Sequence, residues 1–213
     1  RTSEINQTYE ATIGGFFWKD HLWFFAAGRD RALTGTGSTR TTNVTFPTSD
    51  EQTRLEGKLT ISFTPNHNVI GSYLEIDQIS TNTQFSSNID PNGLTDREDP
   101  QDLTSVNYTG ILTPAFFVEA QWSERNYNIA KGSGAKSRDF VEGTLMRSRS
   151  ASHRYYTPTF CGVCEDELRN NENILVKASY FLTTESAGTQ DFTSGSDTHS
   201  SKLTPKHPHT PQP

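Results

Sequence analysis

The residues of this chain best suited to chemistry are two cysteines three positions apart. Cys161-Gly-Val-Cys164 has the spacing of a redox pair, of half a zinc site or of a small disulfide. A redox pair needs a βαβ setting with a helix beginning at the motif, and the surrounding residues offer none. A structural zinc site needs two more ligands at matching spacing, and His153 is the one candidate nearby. A loop disulfide between Cys161 and Cys164 is the expectation, as it suits an oxidising compartment. Metal binding and free thiols are its alternatives.

A second group is acidic: Asp90, Asn92, Asp96, Glu98, Asp99 and Asp102. Such hard oxygen ligands suit calcium, but the order Asp-x-Asx-x-Asx-Gly with a distal Glu is missing. A solvated acidic loop is expected instead. Gly132-Ser-Gly-Ala-Lys136-Ser137 has the outline of a phosphate loop, yet Ala135 breaks the Gly-Lys pair and no clear helix follows. The histidines are scattered, with His21 and His67 in turn-like stretches and His199, His207 and His209 towards the end. No Gly-x-Ser-x-Gly elbow and no His-Glu-x-x-His occurs. No catalytic residue, cofactor or metal site is expected, and the chain reads as a non-enzyme.

The elements that would position any site are strands. From Tyr9 to Arg29 two apolar runs flank Lys19-Asp20-His21. Tyr9, Ala11, Ile13 and Gly15 share one parity, and Leu22, Phe24, Ala26 and Gly28 share another. That period of two predicts a hairpin with one apolar face, over about Ile5 to Arg31. Phe16, Phe17, Trp18, Trp23, Phe24 and Phe25 crowd its turn. Large rings gather in this way at a lipid–water boundary.

Further strands are predicted over 53–63, 69–79, 103–112, 115–129 and 173–184. Leu55, Gly57, Leu59, Ile61 and Phe63 alternate with Arg54, Glu56, Lys58, Thr60 and Ser62, so one face must meet water. In the next strand Ile70, Leu74 and Ile76 are read as the apolar face, and Tyr73, Glu75 and Asp77 as the other. A weak eighth strand starts at Thr189, and the residues after Asp197 read as disordered. Arg138 to Met146 reads equally as a strand extension or a helical turn. Short turns follow the odd strands. Long loops at 32–52, 80–102 and 130–172, about 20, 23 and 40 residues, follow the even ones. Phe63, Phe116, Phe117, Tyr180 and Phe181 lie near the short turns; Tyr9, Tyr73, Tyr108, Trp122 and Tyr127 form a second, looser set farther along.

Ile13-Gly14-Gly15 followed by Trp18-Lys19-Asp20-His21-Leu22-Trp23-Phe24-Phe25 resembles the Gly-Gly-Pro-x-x-Lys-Asp-Lys-Leu-Trp-Phe-Phe signature of Oar-like TonB-dependent outer-membrane receptors. Phe16 stands where that family usually has Pro. Glu56-Gly57-Lys58-Leu59-Thr60 with Thr64-Pro65-Asn66-His67 is similar to its second hairpin, and Phe117-Val118-Glu119-Ala120-Gln121-Trp122 to its third. Pro158-Thr159-Phe160-Cys161-Gly162-Val163-Cys164 resembles a loop found in part of the family. The likeness runs from about Tyr9 to Thr189 and fades after Gln190. It implies a parent barrel of about 22 strands, large enough to hold a plug. It also implies outer-membrane lipid, the rest of the barrel, the plug, and a TonB complex acting through that plug as partners.

The totals agree with such a wall. The chain has 213 residues, 31% of them hydrophobic, and a net charge of −6; its mean hydropathy is −0.68. No run of ~18 apolar residues occurs, which leaves a strand-built membrane protein open. The negative charge argues against nucleic acid as a partner. With neither an initiator Met nor a leader pattern at Arg1, the chain reads as a mature piece or a fragment.

The expected fold is all-β, an antiparallel up-and-down transmembrane β-barrel segment of about seven to eight strands with long extracellular loops. Residues 1–197 would form part of the barrel, with the plug and remaining strands absent, and 198–213 a disordered tail. Gln7, Lys58, Lys177, Glu119 and Gln121 are expected to face a polar lumen. The expected function is a part in binding and energised uptake of an unidentified substrate at a Gram-negative-type outer membrane. A small independent eight-stranded barrel (an adhesin or structural protein) and a soluble β-sandwich binding module, for example for carbohydrate, are the alternatives.

Overall fold

The computed structural model describes residues 6–39, 43–83, 87–88, 94–129, 131–135, 144–147, 154–157, 167–184 and 188–205. The described residues form strands and turns, with no helix. In chain order the strands are β1 (Gln7–Trp18), β2 (Leu22–Ser38), β3 (Thr45–Thr64), β4 (His67–Thr83), β5 (Ser87–Asn88), β6 (Thr95–Glu98) and β7 (Gln101–Thr113). There follow β8 (Phe116–Ile129), β9 (Lys131–Ala135), β10 (Thr144–Arg147), β11 (Arg154–Thr157), β12 (Glu167–Thr184) and β13 (Gly188–Pro205).

The main sheet runs β1-β2-β3-β4-β7-β8-β12-β13, each strand antiparallel to its neighbour, and β6 and β9 extend it beside β4. It is open: among the described residues β1 and β13 have no partner on their outer edges. A small second sheet joins β11, β10 and β5. The architecture is therefore all-β, antiparallel and up-and-down.

Three short turns, after Trp18, Thr64 and Thr113, are where the sequence places them, and each is tied to the hairpin that follows. His21 N–H donates to Trp18 O at 3.1 Å, with Asp20 at a φ of 67° between them. An Asp tolerates that left-handed conformation better than most residues. The Ser62 N–H donates to His21 O at 2.7 Å, Ile111 N–H to Asn66 O at 2.8 Å, and Phe181 N–H to Ala115 O at 2.8 Å. Just before each of these turns the pairing slips, at Phe16/Trp18, Ser62/Thr64 and Ile111/Thr113. Bulges at strand ends sharpen the local twist.

The strands are staggered. One row of opposed residues passes from Ile13 through Ala26, Gly57, Tyr73, Thr104 and Glu124 to Glu172. Ile13 lies five residues before the end of β1, and Glu172 twelve before the end of β12. With the short turns level, a slip of seven residues over six strand spacings tilts the strands by about 40°.

Four expectations are corrected. The stretches 32–38 and 45–51 were expected in a loop, but they continue β2 and β3, paired from Ala32↔Glu51 to Ser38↔Thr45. The same happens at 80–83, 101–102 and 167–172, where β4 runs on and β7 and β12 begin early. Ladder hydrogen bonds come from the backbone, so Thr-, Ser- and Gly-rich chain pairs without apolar alternation. Second, the chain past Asp197 is strand: β13 pairs with β12 from Thr184↔Gly188 to Glu167↔Pro205. A long, well-alternating β12 offers an edge that a polar strand fills through backbone groups alone. Third, Tyr73 lies with the apolar face of β3, opposite Gly57, and Ile70, Leu74 and Ile76 lie on the polar side. Counting apolar residues within β4 selects the wrong face, because register to β3 decides it. Fourth, Thr144–Arg147, at the end of the stretch left undecided, is strand β10; residues 138–143 and 206–213 lie outside the described residues.

Candidate functional site

The register sorts side chains onto two unlike faces, because opposed residues on neighbouring strands point the same way. One face carries an unbroken apolar band. It runs from Ile13 on β1 through Phe24, Leu59, Val106 and Trp122 to Val176 and Ile174 on β12. These side chains are not covered: Ile13 is 65% exposed, Leu59 48% and Val176 47%. Among the described residues only Phe46, Leu94 and Ile129 are buried apolar side chains. Among the described residues no second layer packs on the band.

The other face is polar and more sheltered. Arg29 Nη2 donates to Gln52 Oε1 at 2.7 Å, and Arg29 Nη1 stands 3.9 Å from Glu10 Oε1. Arg54 pairs with Glu56 at 3.0 Å. Asp50 accepts from Arg31 at 3.2 Å, Gln78 Nε2 at 2.8 Å and Ser80 Oγ at 2.9 Å. Ser72 and Ser105 hydroxyls meet at 2.7 Å, and Lys177 pairs with Glu119 at 3.5 Å. A hollow of about 160 Å³ opens between Glu10, Arg29, Arg54 and Glu56. The arrangement is inside out relative to a water-soluble sheet, whose apolar face is the covered one.

Lys58, Lys177, Glu119 and Gln121 lie together on the polar face, as expected of lumen-facing residues. Gln7 does not. It shares the parity of Tyr9 on β1, and its Oε1 accepts from the Tyr9 hydroxyl at 3.0 Å. A polar residue type does not fix a face; parity from the nearest paired apolar residue does.

Rings cluster at the short turns, with Phe17 stacked on Phe24 at 4.4 Å and Phe117 edge-on to Phe181 at 5.4 Å. The second aromatic set is less level. Tyr9 lies nine residues from the turn end of its strand, Tyr73 and Trp122 six, and Tyr108 five. Tyr127 projects from the polar face, under the Arg125 guanidinium at 4.9 Å.

Tyr108 has a separate structural task. Its ring lies over Gly110, and its hydroxyl meets His67 Nδ1 at 2.8 Å. His67 is in turn the residue opposite Gly110. A methyl at Gly110 would run into the phenol end of Tyr108. Gly110→Ala is expected to push the ring aside, break the His67 bond and cost about 1 kcal/mol in urea titrations of detergent-folded chain. Gly71→Ala, where an added Cβ meets open space, should cost nothing in the same titration.

Cys161, Cys164, His153, Asp90 and Asn92 lie outside the described residues. Of the remaining acidic group, Asp96 Oδ1 accepts from the Asn82 N–H at 2.9 Å, Asp99 pairs with Arg97 at 2.6 Å, and Asp102 accepts from Asn126 at 3.0 Å. Residues 132–135, read as the outline of a phosphate loop, belong to strand β9. Among the described residues no group of three His, Cys, Asp or Glu is arranged to hold a metal ion. The sequence reading missed the Arg29–Gln52 and Asp50–Arg31 clusters. The alternating charges of 29–31 and 54–58 were its one signal, and only strand pairing brings them together. Set beside known proteins, the chain matches no protein-family model, no curated protein and no solved structure.

Proposed function

We propose that this chain forms part of the wall of an outer-membrane β-barrel receptor of the Oar-like TonB-dependent kind, with its apolar face in lipid and its polar face towards the lumen. The wall contributes to binding a scarce substrate and to its energised uptake. The plug and the remaining strands would come from the rest of such a receptor, and the TonB complex would act through the plug.

The observation that carries the reading is the exposed apolar band, continuous in register from β1 to β12. Its height supports a bilayer. On β1, β3 and β12 it extends nine or ten residues from the short turns, to Tyr9, Leu55 and Ile174. At the ~40° tilt that is roughly 23–25 Å, against about 25 Å for the outward apolar band of outer-membrane barrels. The band is shorter on β2, β4, β7 and β8, ending at Gly28, Tyr73, Val106 and Trp122. It stops at β13, which sets Ser194, Ser196 and Thr198 beside Ala178, Val176 and Ile174. The lipid-facing surface on this reading runs from β1 to β12.

β13 also favours one second reading. It completes an eight-strand path, the number of the smallest outer-membrane barrels. Closing that path would place β13's Ser- and Thr-rich side next to Ile13 and Tyr9, which makes it the poorer fit.

The test is depth-dependent quenching by brominated phosphatidylcholine in vesicles, using single-tryptophan versions of the full chain. Trp18, beside the first turn, should be quenched best by bromines near the headgroups, and Trp122 by bromines near the bilayer centre. A chain that folds in plain buffer and is quenched by neither lipid is a soluble module, and the receptor reading then fails.

A further inference from the structure

On the apolar face Gly57 and Gly71 stand diagonally on β3 and β4, and a side chain added to either would meet open space. They floor a groove of about 530 Å³ walled by Phe24, Leu59, Tyr73 and Val106. Tyr73 closes one end, where its hydroxyl donates to Glu75 Oε2 at 3.4 Å. One step farther on the same face Glu75 stands opposite Asp102, with Asp77 next on β4. A hollow of about 250 Å³ opens among these three carboxylates.

Among the described residues none of the three carboxylates makes an ion pair; Tyr73 and Asn126 give them neutral hydrogen bonds. Arg29, Arg31, Arg54, Lys58, Arg125, Arg169 and Lys177 lie on the opposite face, and Lys202 stands on this face at the far rim, opposite Asn170. The apolar slot and the anionic hollow are thus neighbours along β4 and β7, with Tyr73 between them.

We propose that groove and hollow form one seat for an amphiphile with an acyl chain and a protonated amine headgroup. The chain lies over Gly57 and Gly71, and the ammonium sits among Glu75, Asp77 and Asp102. An ammonium has three donors and no acceptor, so it matches a set of carboxylate acceptors. Next to hydrocarbon their attraction is screened less than in open water. An anionic headgroup would be repelled from the same place. The proposal rests on the lipid-facing reading of this face.

Trp122, opposite Val106 at the groove wall, is the reporter. The full chain with Trp18→Phe and Trp23→Phe is refolded into neutral phosphatidylcholine vesicles. It is then titrated with a brominated-chain primary amine or the alcohol of equal chain length. The amine should quench Trp122 at about tenfold lower concentration, the effect of roughly two half-exposed ion pairs. Glu75→Gln with Asp102→Asn should bring amine and alcohol to parity, and Gly71→Leu should weaken both by filling the slot. Equal quenching by amine and alcohol in the unaltered seat, or a preference that survives the double substitution, overturns the proposal while the membrane reading stands. A chain that folds in plain buffer and stays out of the vesicles overturns both.

Discussion

Leu59→Arg is expected to destabilise the lipid-folded chain by about 2–4 kcal/mol, the cost of a guanidinium near the middle of a barrel's outer face. In water the same change would be almost free, since Leu59 is 48% exposed and surface substitutions stay within about 0.5 kcal/mol. The size of the loss therefore reports the solvent on that face. One residue earlier the chain already carries Lys58, on the polar side. Gln121→Arg supplies the matched control. It places the same charge on the polar face, beside Glu119 and opposite Asn107 and Leu175, and should cost less than about 0.5 kcal/mol. Urea titration of vesicle-refolded protein measures both. Equal, small losses in the two variants would mean that water, and not hydrocarbon, covers the apolar band.

Asp50→Ala should cost about 2 kcal/mol in the same titration. Asp50 holds three strands at one point, accepting from Arg31 on β2 and from Gln78 and Ser80 on β4. Arg31 Nε already lacks a partner among the described residues, so removing the carboxylate strands a second donor of the same guanidinium. Bonds to charged groups contribute about 1.5–3 kcal/mol each at full burial. Arg31 and Asp50 side chains are 33% and 31% exposed, which discounts that figure. Asp50→Asn should recover part of the loss by still accepting from Gln78 or Ser80. In the Asp50→Ala background Arg31→Ala should add little, because the pair has already been broken. Fully additive losses would show that the two side chains act independently.

The sequence is explicit where apolar alternation is strong. Ile13 to Phe24 and Leu55 to Phe63 announce both the strands and their covered or exposed sides, and the turns at Asp20 and Asn66 follow from residue type. Where alternation weakens, pairing takes over. Thr45 to Asp50 and Thr198 to Pro205 carry no period, yet each completes a ladder because a neighbouring strand presents free backbone groups. β4 is the instructive failure. Its three aliphatic residues outvote Tyr73 within the strand, and only the opposition of Tyr73 to Gly57 corrects the choice. The polar clusters were hidden for the same reason. Arg31 and Asp50 are nineteen residues apart in sequence, and nothing local marks them as neighbours.

The tie between each short turn and the following hairpin bears on how the sheet comes together. His21, Asn66 and Ala115 each offer a carbonyl that the next hairpin must find, in chain order, with Ser62, Ile111 and Phe181. A completed hairpin therefore templates the one after it, and few contacts in the meander have to wait for the far end of the chain. Topologies of that kind close small loops first and avoid much of the entropic delay of non-local β-sheets. Assembly would advance as a wave from β1 towards β13, and loss of structure would retreat along the same line, starting at the polar last strand.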